Sequence, residues 1–149
     1  MLLRTHLIVA LGVIFLFLPY IENKIIFIPA LLIASLIPDI DTSFSSIGKR
    51  KIFRLFQFFT KHRGILHSFT FCIFIAIVFA ASIPVLALPW FLEYGSHLLF
   101  DSFTIEGIKP FWPLKKTIYG KIKTGGHAEN IILFLTILIN ILLILKLFD

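Results

Sequence analysis

Two histidines, His62 and His67, stand in HRGILHS (residues 62–68), at the threshold of a charge-free run that begins at Ile65. The same pattern, ionisable residues at the edge of an apolar run, recurs at His6, at Asp39 and Asp41 in IPDID, at His97 and Asp101 in SHLLFD, and at Glu129 in GGHAEN. Imidazole and carboxylate together are the ligand chemistry of zinc, and also of manganese or iron, with one to three ions expected for this number of donors. His97 and Asp101 are four residues apart, so on a helix they share a face and can ligate one ion or act as ligand and supporting partner. Ions held a few ångströms apart activate water and stabilise in-line displacement at phosphorus. Arg63 would neutralise the phosphoryl oxygens through its bidentate fork, with Lys61 beside it. A carboxylate not saturated by metal, Asp41 or Glu129, would then serve as general base.

Taken singly, each of these residues has an ordinary explanation. His6 near a helix start caps or lies at an interface, and His127 in a Gly-rich loop is solvated. Asp39 and Asp41 are turn acids, Asp101 ends a helix, and Arg63 anchors to lipid headgroups. Taken together they resist that reading, because ionisable groups at membrane depth cost about 2.5–3.5 kcal/mol each and mark a pathway or a site. A shared ion would offset the cost. Glu93, one turn before His97 on the same face, is the deepest acid and is expected only to support its neighbours.

The elements that must position these residues are those of a membrane protein. Of 149 residues 58% are hydrophobic, 18 are phenylalanine, and the mean hydropathy is +0.99, far above a soluble domain of this length. The single cysteine, Cys72, lies in an apolar run and excludes both a disulfide framework and a Cys-x-x-Cys zinc site. The N-terminal segment has the basic start and apolar centre of a signal peptide without a small-x-small cleavage pattern, and is expected to remain as a first span.

Apolar runs cover 7–21, 25–38, 65–83, 84–100 and 130–148. The stretch from Ile65 to Leu92 carries no charge, and as one helix its 28 residues would extend ~42 Å, too long for an upright span. A hairpin turning near SIPVLALP is therefore expected, with Pro84 and Pro89 favouring the break. Pro38 biases Ile37 towards an extended conformation, in which Asp39 and Asp41 would share one side. From Pro89 to His97 is ~12 Å of helix, which would leave His97 below the surface at which His62 lies.

Five spans place the N-terminus, the 39–64 loop and the 101–129 loop on one side. Arg4, Lys49, Arg50, Lys51, Arg54, Lys61 and Arg63 lie there, as do Lys109, Lys115, Lys116, Lys121 and Lys123; only Lys24 and Lys146 fall opposite. The positive-inside bias makes the rich side cytoplasmic, so much of the net charge of +6 reads as a topology signal. The expectation is an all-α, single-domain protein over residues 1–149: an integral plasma (inner) membrane bundle of about five spans with a metal site at its cytoplasmic end. GKRKIFRLFQFFTKH in the first loop suits a helix in the headgroup layer or a buried phenylalanine-rich one. Trp112 and Tyr119 suit an interfacial belt.

PDID, HRGILHS, SHLLFD followed by T-x-E-G and FWP, then GGHAEN, occur in that order. The chain thereby resembles, over nearly its whole length, the YdjM-like family of small membrane-bound, metal-dependent hydrolases, grouped with zinc phospholipase C and the single-strand-specific zinc nucleases. The HRG-x-x-HS element with the downstream H-x-x-x-D is the specific part. The resemblance implies an all-helical fold and a metal site using His6, Asp39, Asp41, His67, His97 and Asp101, with His62 and Glu129 outside that core set. Leu66, Lys61 and Phe100 depart from residues usual in the family, and none of these departures removes a ligand.

The leading functional expectation is a membrane-embedded, metal-dependent hydrolase acting on a phosphoester, a lipid headgroup or lipid phosphate, with metal-activated water. A metal-cation carrier and a non-catalytic, metal-stabilised scaffold are the alternatives. The partners expected are the lipid bilayer and the phosphoester substrate. No protein partner is inferable, and nucleic acid stays open through the nuclease relatives and the basic loops. Phosphohistidine lipid phosphatases and phosphatidyl transferases are set aside, since P-S-G-H, K-x-x-x-x-x-x-R-P and D-G-x-x-A-R are absent.

Overall fold

The computed structural model describes residues 1–41 and 64–148, Asp41 by its backbone alone. The headgroup-layer segment expected from GKRKIFRLFQFFTKH, with Lys61, His62 and Arg63, lies outside the described residues. Among the described residues, five helices carry the fold: α1 (Leu3–Phe17), α2 (Lys24–Leu36), α3 (Phe69–Ser82), α4 (Pro84–Ser102) and α5 (His127–Lys146). Short 3-10 turns at Leu18–Tyr20, Pro38–Asp41 and Ile65–His67 flank them. Two isolated bridges, Thr104 with Ile122 and Ile108 with Ile118, tie the 103–126 loop, and the described residues hold no strand.

The charge-free stretch does turn, at Ile83, whose backbone leaves the helical region (φ −139°, ψ 74°). Pro84 takes the first position of α4, where its missing N–H costs nothing. Pro89 behaves differently from the expectation: it lies inside α4, and the helix continues through it to Ser102. His97 is consequently 13 residues from the start of α4, about 20 Å of helix rather than ~12 Å. The depth reckoned from Pro89 falls short because the helix begins at Pro84, and a proline near a helix N-terminus is tolerated at the loss of few intrahelical bonds.

α1 with its 3-10 extension (Leu3–Tyr20, 18 residues) and α5 (20 residues) are long and apolar enough to cross a membrane. α2 and α3 have 13 and 14 residues, about 20 Å each, short of a ~30 Å hydrocarbon core. α5 turns a large apolar surface outward, with Ile131, Phe134 and Leu142 all at 60% exposure or more, as a lipid-facing helix does.

Two apolar clusters hold the helices. Ala34, Cys72, Trp90, Tyr94 and Leu98 join α2, α3 and α4, with Ile108 of the following loop. Ala10, Ile14, Phe27 and Leu31 join α1 to α2. The aromatic members also place backbone: Trp90 Nε1 donates to the Cys72 carbonyl at 3.0 Å and Tyr94 Oη to the Leu66 carbonyl at 2.6 Å. The second bond pins the residue before His67. Ser68 then caps α3 by accepting from Phe71 N at 3.2 Å.

Candidate metal centre

The alternation of the helices brings five chain segments to one end of the bundle: the starts of α1, α3 and α5 and the ends of α2 and α4. His6 comes from the first turns of α1, Asp39 from the turn after α2, His67 from the turn before α3, and His97 and Asp101 from the last turns of α4. All five are buried. They form two overlapping groups, His6–His97–Asp101 and Asp39–His67–His97, in each of which the donor atoms lie within 4.8 Å of one another.

Asp101 is the hub. Its Oδ1 faces His6 Nε2 at 3.2 Å, and its Oδ2 faces His67 Nε2 at 3.5 Å and His97 Nε2 at 3.8 Å. The Met1 ammonium also pairs with Oδ1, so a cation already rests on this carboxylate. The His6 ring stacks on His97 with centroids 3.7 Å apart and planes 7° from parallel.

His97 decides what the cluster can do. Its Nδ1 lies 3.0 Å from the carbonyl oxygen of Ser35. A carbonyl only accepts, so Nδ1 carries the proton and a neutral ring presents the Nε2 lone pair. That lone pair faces Asp39 Oδ1 at 3.9 Å and Asp101 Oδ2 at 3.8 Å. It has no hydrogen-bond partner among the described residues. The Nε2 lone pair and the two carboxylates facing it repel one another, and a cation among them reverses the sign. A backbone carbonyl that fixes the tautomer of a ligating histidine is the usual supporting arrangement at metal sites. The donor set therefore fits a divalent metal.

Asp39 obeys the same logic. Burial pushes its carboxyl above the ordinary range; the neighbouring His6 opposes this, and the Asp101 carboxylate adds to it. The extended exit expected at Ile37 is not formed. Ile37 is helical (φ −63°, ψ −43°), and the chain tightens directly into the Pro38–Asp41 3-10 turn. The pre-proline bias is overridden because the helix is ending there and needs no further regular turn.

Glu129, expected as a candidate base, is at the rim but differently employed. One oxygen accepts from Leu2 N at 2.6 Å and Thr5 Oγ1 at 2.7 Å, the other from Gly125 N at 2.6 Å. The carboxylate thus clamps the chain just before His6 to the start of α5. Glu129→Gln is expected to cost about 1.5–3 kcal/mol of stability through the lost charge-assisted bonds. It should weaken metal binding through His6, with any turnover restored by excess metal. Thermal unfolding and a metal titration check this; full metal binding with no turnover would make Glu129 the base instead.

His127 is exposed at the start of α5. Glu93 is fully buried one turn below His97, and neither of its oxygens has a hydrogen-bond partner among the described residues. Sequence reasoning missed Ser35, whose contribution is a backbone carbonyl, and Thr5, whose hydroxyl serves Glu129. Neither has a residue-type signal.

A family model described as YdjM inner membrane protein matches residues 1–147. The chain belongs to the YdjM inner membrane protein family. It is also similar to "Uncharacterized protein YvsG" of Bacillus subtilis (strain 168), 30% identical over 109 residues, covering 68% of this chain and 67% of that protein. No solved structure matches. Family membership and the two apolar helices agree on a membrane location.

Proposed function

We propose that this YdjM-family chain is a membrane-bound, metal-dependent hydrolase that cleaves a phosphoester, the headgroup or phosphate of a lipid reached from the cytoplasmic side. All five helices lie within the bilayer in this reading. The observation that carries it is the His97 Nε2 lone pair, fixed by Ser35 and aimed into a buried set of imidazoles and carboxylates. His6, Asp39, His67, His97 and Asp101 would hold the ion or ions, with Asp41 and His62 completing the set; zinc suits these donors, as do manganese and iron. Such an ion supplies polarisation of a phosphoryl oxygen and activation of water.

The remaining work falls to side chains of this protein. Arg63, with Lys61, binds the phosphoryl oxygens. Asp41 accepts the proton of the attacking water, whose oxygen bonds to phosphorus as the bond to the ester oxygen breaks, and the same proton then passes from Asp41 to the departing ester oxygen. Glu129 holds the start of α1 in place. A phosphate-release screen of purified, metal-loaded protein over lipid phosphoesters tests the proposal, with His97→Ala as control. Release that disappears in the variant is the expected result; no release from any phosphoester by metal-loaded wild type overturns it.

Metal occupancy should depend on pH with a defined sign. Imidazole ligates only when neutral, so metal affinity is greatest at alkaline pH and weakens as falling pH protonates the histidines. Metal affinity titrated at steps from about pH 8 to about pH 5 measures this, and an affinity indifferent to pH would contradict histidine ligation.

Glu93 favours a second reading, a metal-cation carrier, since a buried acid without a hydrogen-bond partner about 6 Å further down α4 is a natural next station for an ion. Uptake of metal into liposomes that is lost in Glu93→Gln, without phosphate release from any lipid, would establish the carrier instead.

A further inference from the structure

An apolar groove of about 170 Å³ lies between α2, α3 and α4, lined by Ala30, Ile33, Ile37, Phe79, Leu86 and Trp90. We propose that it is the tail subsite of a single-chain phosphoester lipid whose polar end reaches the histidine–carboxylate cluster. The inference rests on the phosphoester reading above and names its substrate class.

Continuity with the cluster is the first argument. Ile37, at the upper end of the groove, directly precedes the Pro38–Asp41 turn that carries Asp39. Ala30 is nine residues before Asp39, so the groove descends about 13 Å from the ligand layer along α2. A chain lying in it would run along α2 away from the turn that carries Asp39, with its head on the Asp39 side.

The lining chemistry admits only hydrocarbon. All six lining side chains are apolar. The one polar atom among them, the Trp90 indole nitrogen, is already committed to the Cys72 carbonyl, so the tryptophan offers only its ring. Apolar cavities of this kind stay dry, and water is a poor occupant. The volume lies below the 300–1,000 Å³ typical of drug-sized ligand sites and suits one slender chain better than two. Entry is lateral: Ile33 at the mouth is 59% exposed, and Phe74 and Ile77 on α3 turn outward at 61% and 63%, an apolar surface of the kind that lipid contacts.

Trp90 is a reporter already in place, since Trp112 is the other of two tryptophans. In the Trp112→Phe protein, metal-loaded in phosphatidylcholine nanodiscs, Trp90 fluorescence is followed while octadecyl phosphate brominated at mid-chain is added. Phosphatidylcholine brominated at the same depth serves as the comparison, and inorganic phosphate as competitor. The proposal predicts saturable quenching by the alkyl phosphate, displaced by inorganic phosphate and weakened on the order of tenfold when Ala30→Phe fills the groove. Ile33→Phe, at the exposed mouth, should act in the same direction and guards against misfolding of the buried variant. Equal quenching per mole by the two brominated lipids, or binding indifferent to both substitutions, overturns the proposal. If inorganic phosphate binds the metal-loaded protein while the alkyl phosphate quenches no better than phosphatidylcholine, the tail subsite fails and the phosphoester reading survives. Saturable, groove-dependent quenching that phosphate never displaces would retain the tail subsite and remove the phosphoester chemistry.

Discussion

Asp101→Asn is expected to lower metal affinity by more than about 100-fold and to bring phosphate release to background. The substitution keeps the size and most of the shape of the side chain but replaces one acceptor oxygen with a donor and removes the charge. Both carboxylate oxygens are in use: Oδ1 faces His6 and the Met1 ammonium, and Oδ2 faces His67 and His97. The one carboxylate thus faces three of the histidines. Loss of a partner that merely orients a ligand costs about 10–100-fold in metal affinity, and a carboxylate shared by three imidazoles should exceed that range. Titration of apo protein with zinc, read by competition with a chromophoric chelator, measures the effect. If Asp101 served only to end α4, the variant would bind metal as wild type does and lose stability alone.

The second large effect is a split in stoichiometry. The two donor groups share His97 but divide the other histidines, His6 in one and His67 in the other. With two ions bound, the one Nε2 lone pair of His97 serves only one of them; His6→Ala should lose the ion on its side and keep the other, and His67→Ala should do the converse. The double variant should lose both. With a single ion at the centre, either substitution would weaken the same site and the losses would not divide. The stacking of His6 on His97 at 3.7 Å makes the first variant the more disruptive structurally, since it also removes a packed ring. Metal-to-protein ratios of the three variants, with helix content measured alongside, distinguish the cases. A double variant with the metal content of wild type would contradict both.

Some of this was legible in the sequence for identifiable reasons. The α3–α4 turn follows from length, because a charge-free stretch of 28 residues exceeds one bilayer crossing and Pro84 offered a place to begin a new helix. The shared face of His97 and Asp101 follows from their spacing. That His6, Asp39 and His67 meet them follows from helix alternation, which needs only the number of turns to be right. Other features depended on information that residue identity does not contain. Ser35 acts through its carbonyl, which every residue possesses, so nothing in the chain singled it out. Glu129 is engaged by the backbone of Leu2 and Gly125, contacts set by tertiary placement. The two prolines misled in opposite ways: Pro89 stayed within a helix it was expected to break, and Pro38 followed a helical residue it was expected to extend. In both places the neighbouring elements outweighed a local preference of about a kilocalorie or more. Asp41 is described by its backbone only, and His62 and Arg63 lie outside the described residues, so their roles rest on the sequence.

The central claim is that His97, held as the Nδ1–H tautomer by Ser35, is the common ligand of a divalent metal at the end of the bundle. Elemental analysis of wild-type protein and His97→Ala, purified side by side in the same membrane-mimetic, tests it most directly. The account predicts one or more divalent ions per wild-type chain and at least one fewer in the variant at unchanged helix content. Wild-type protein that takes up no divalent metal even when it is supplied, or a variant carrying the same metal as wild type, would contradict it.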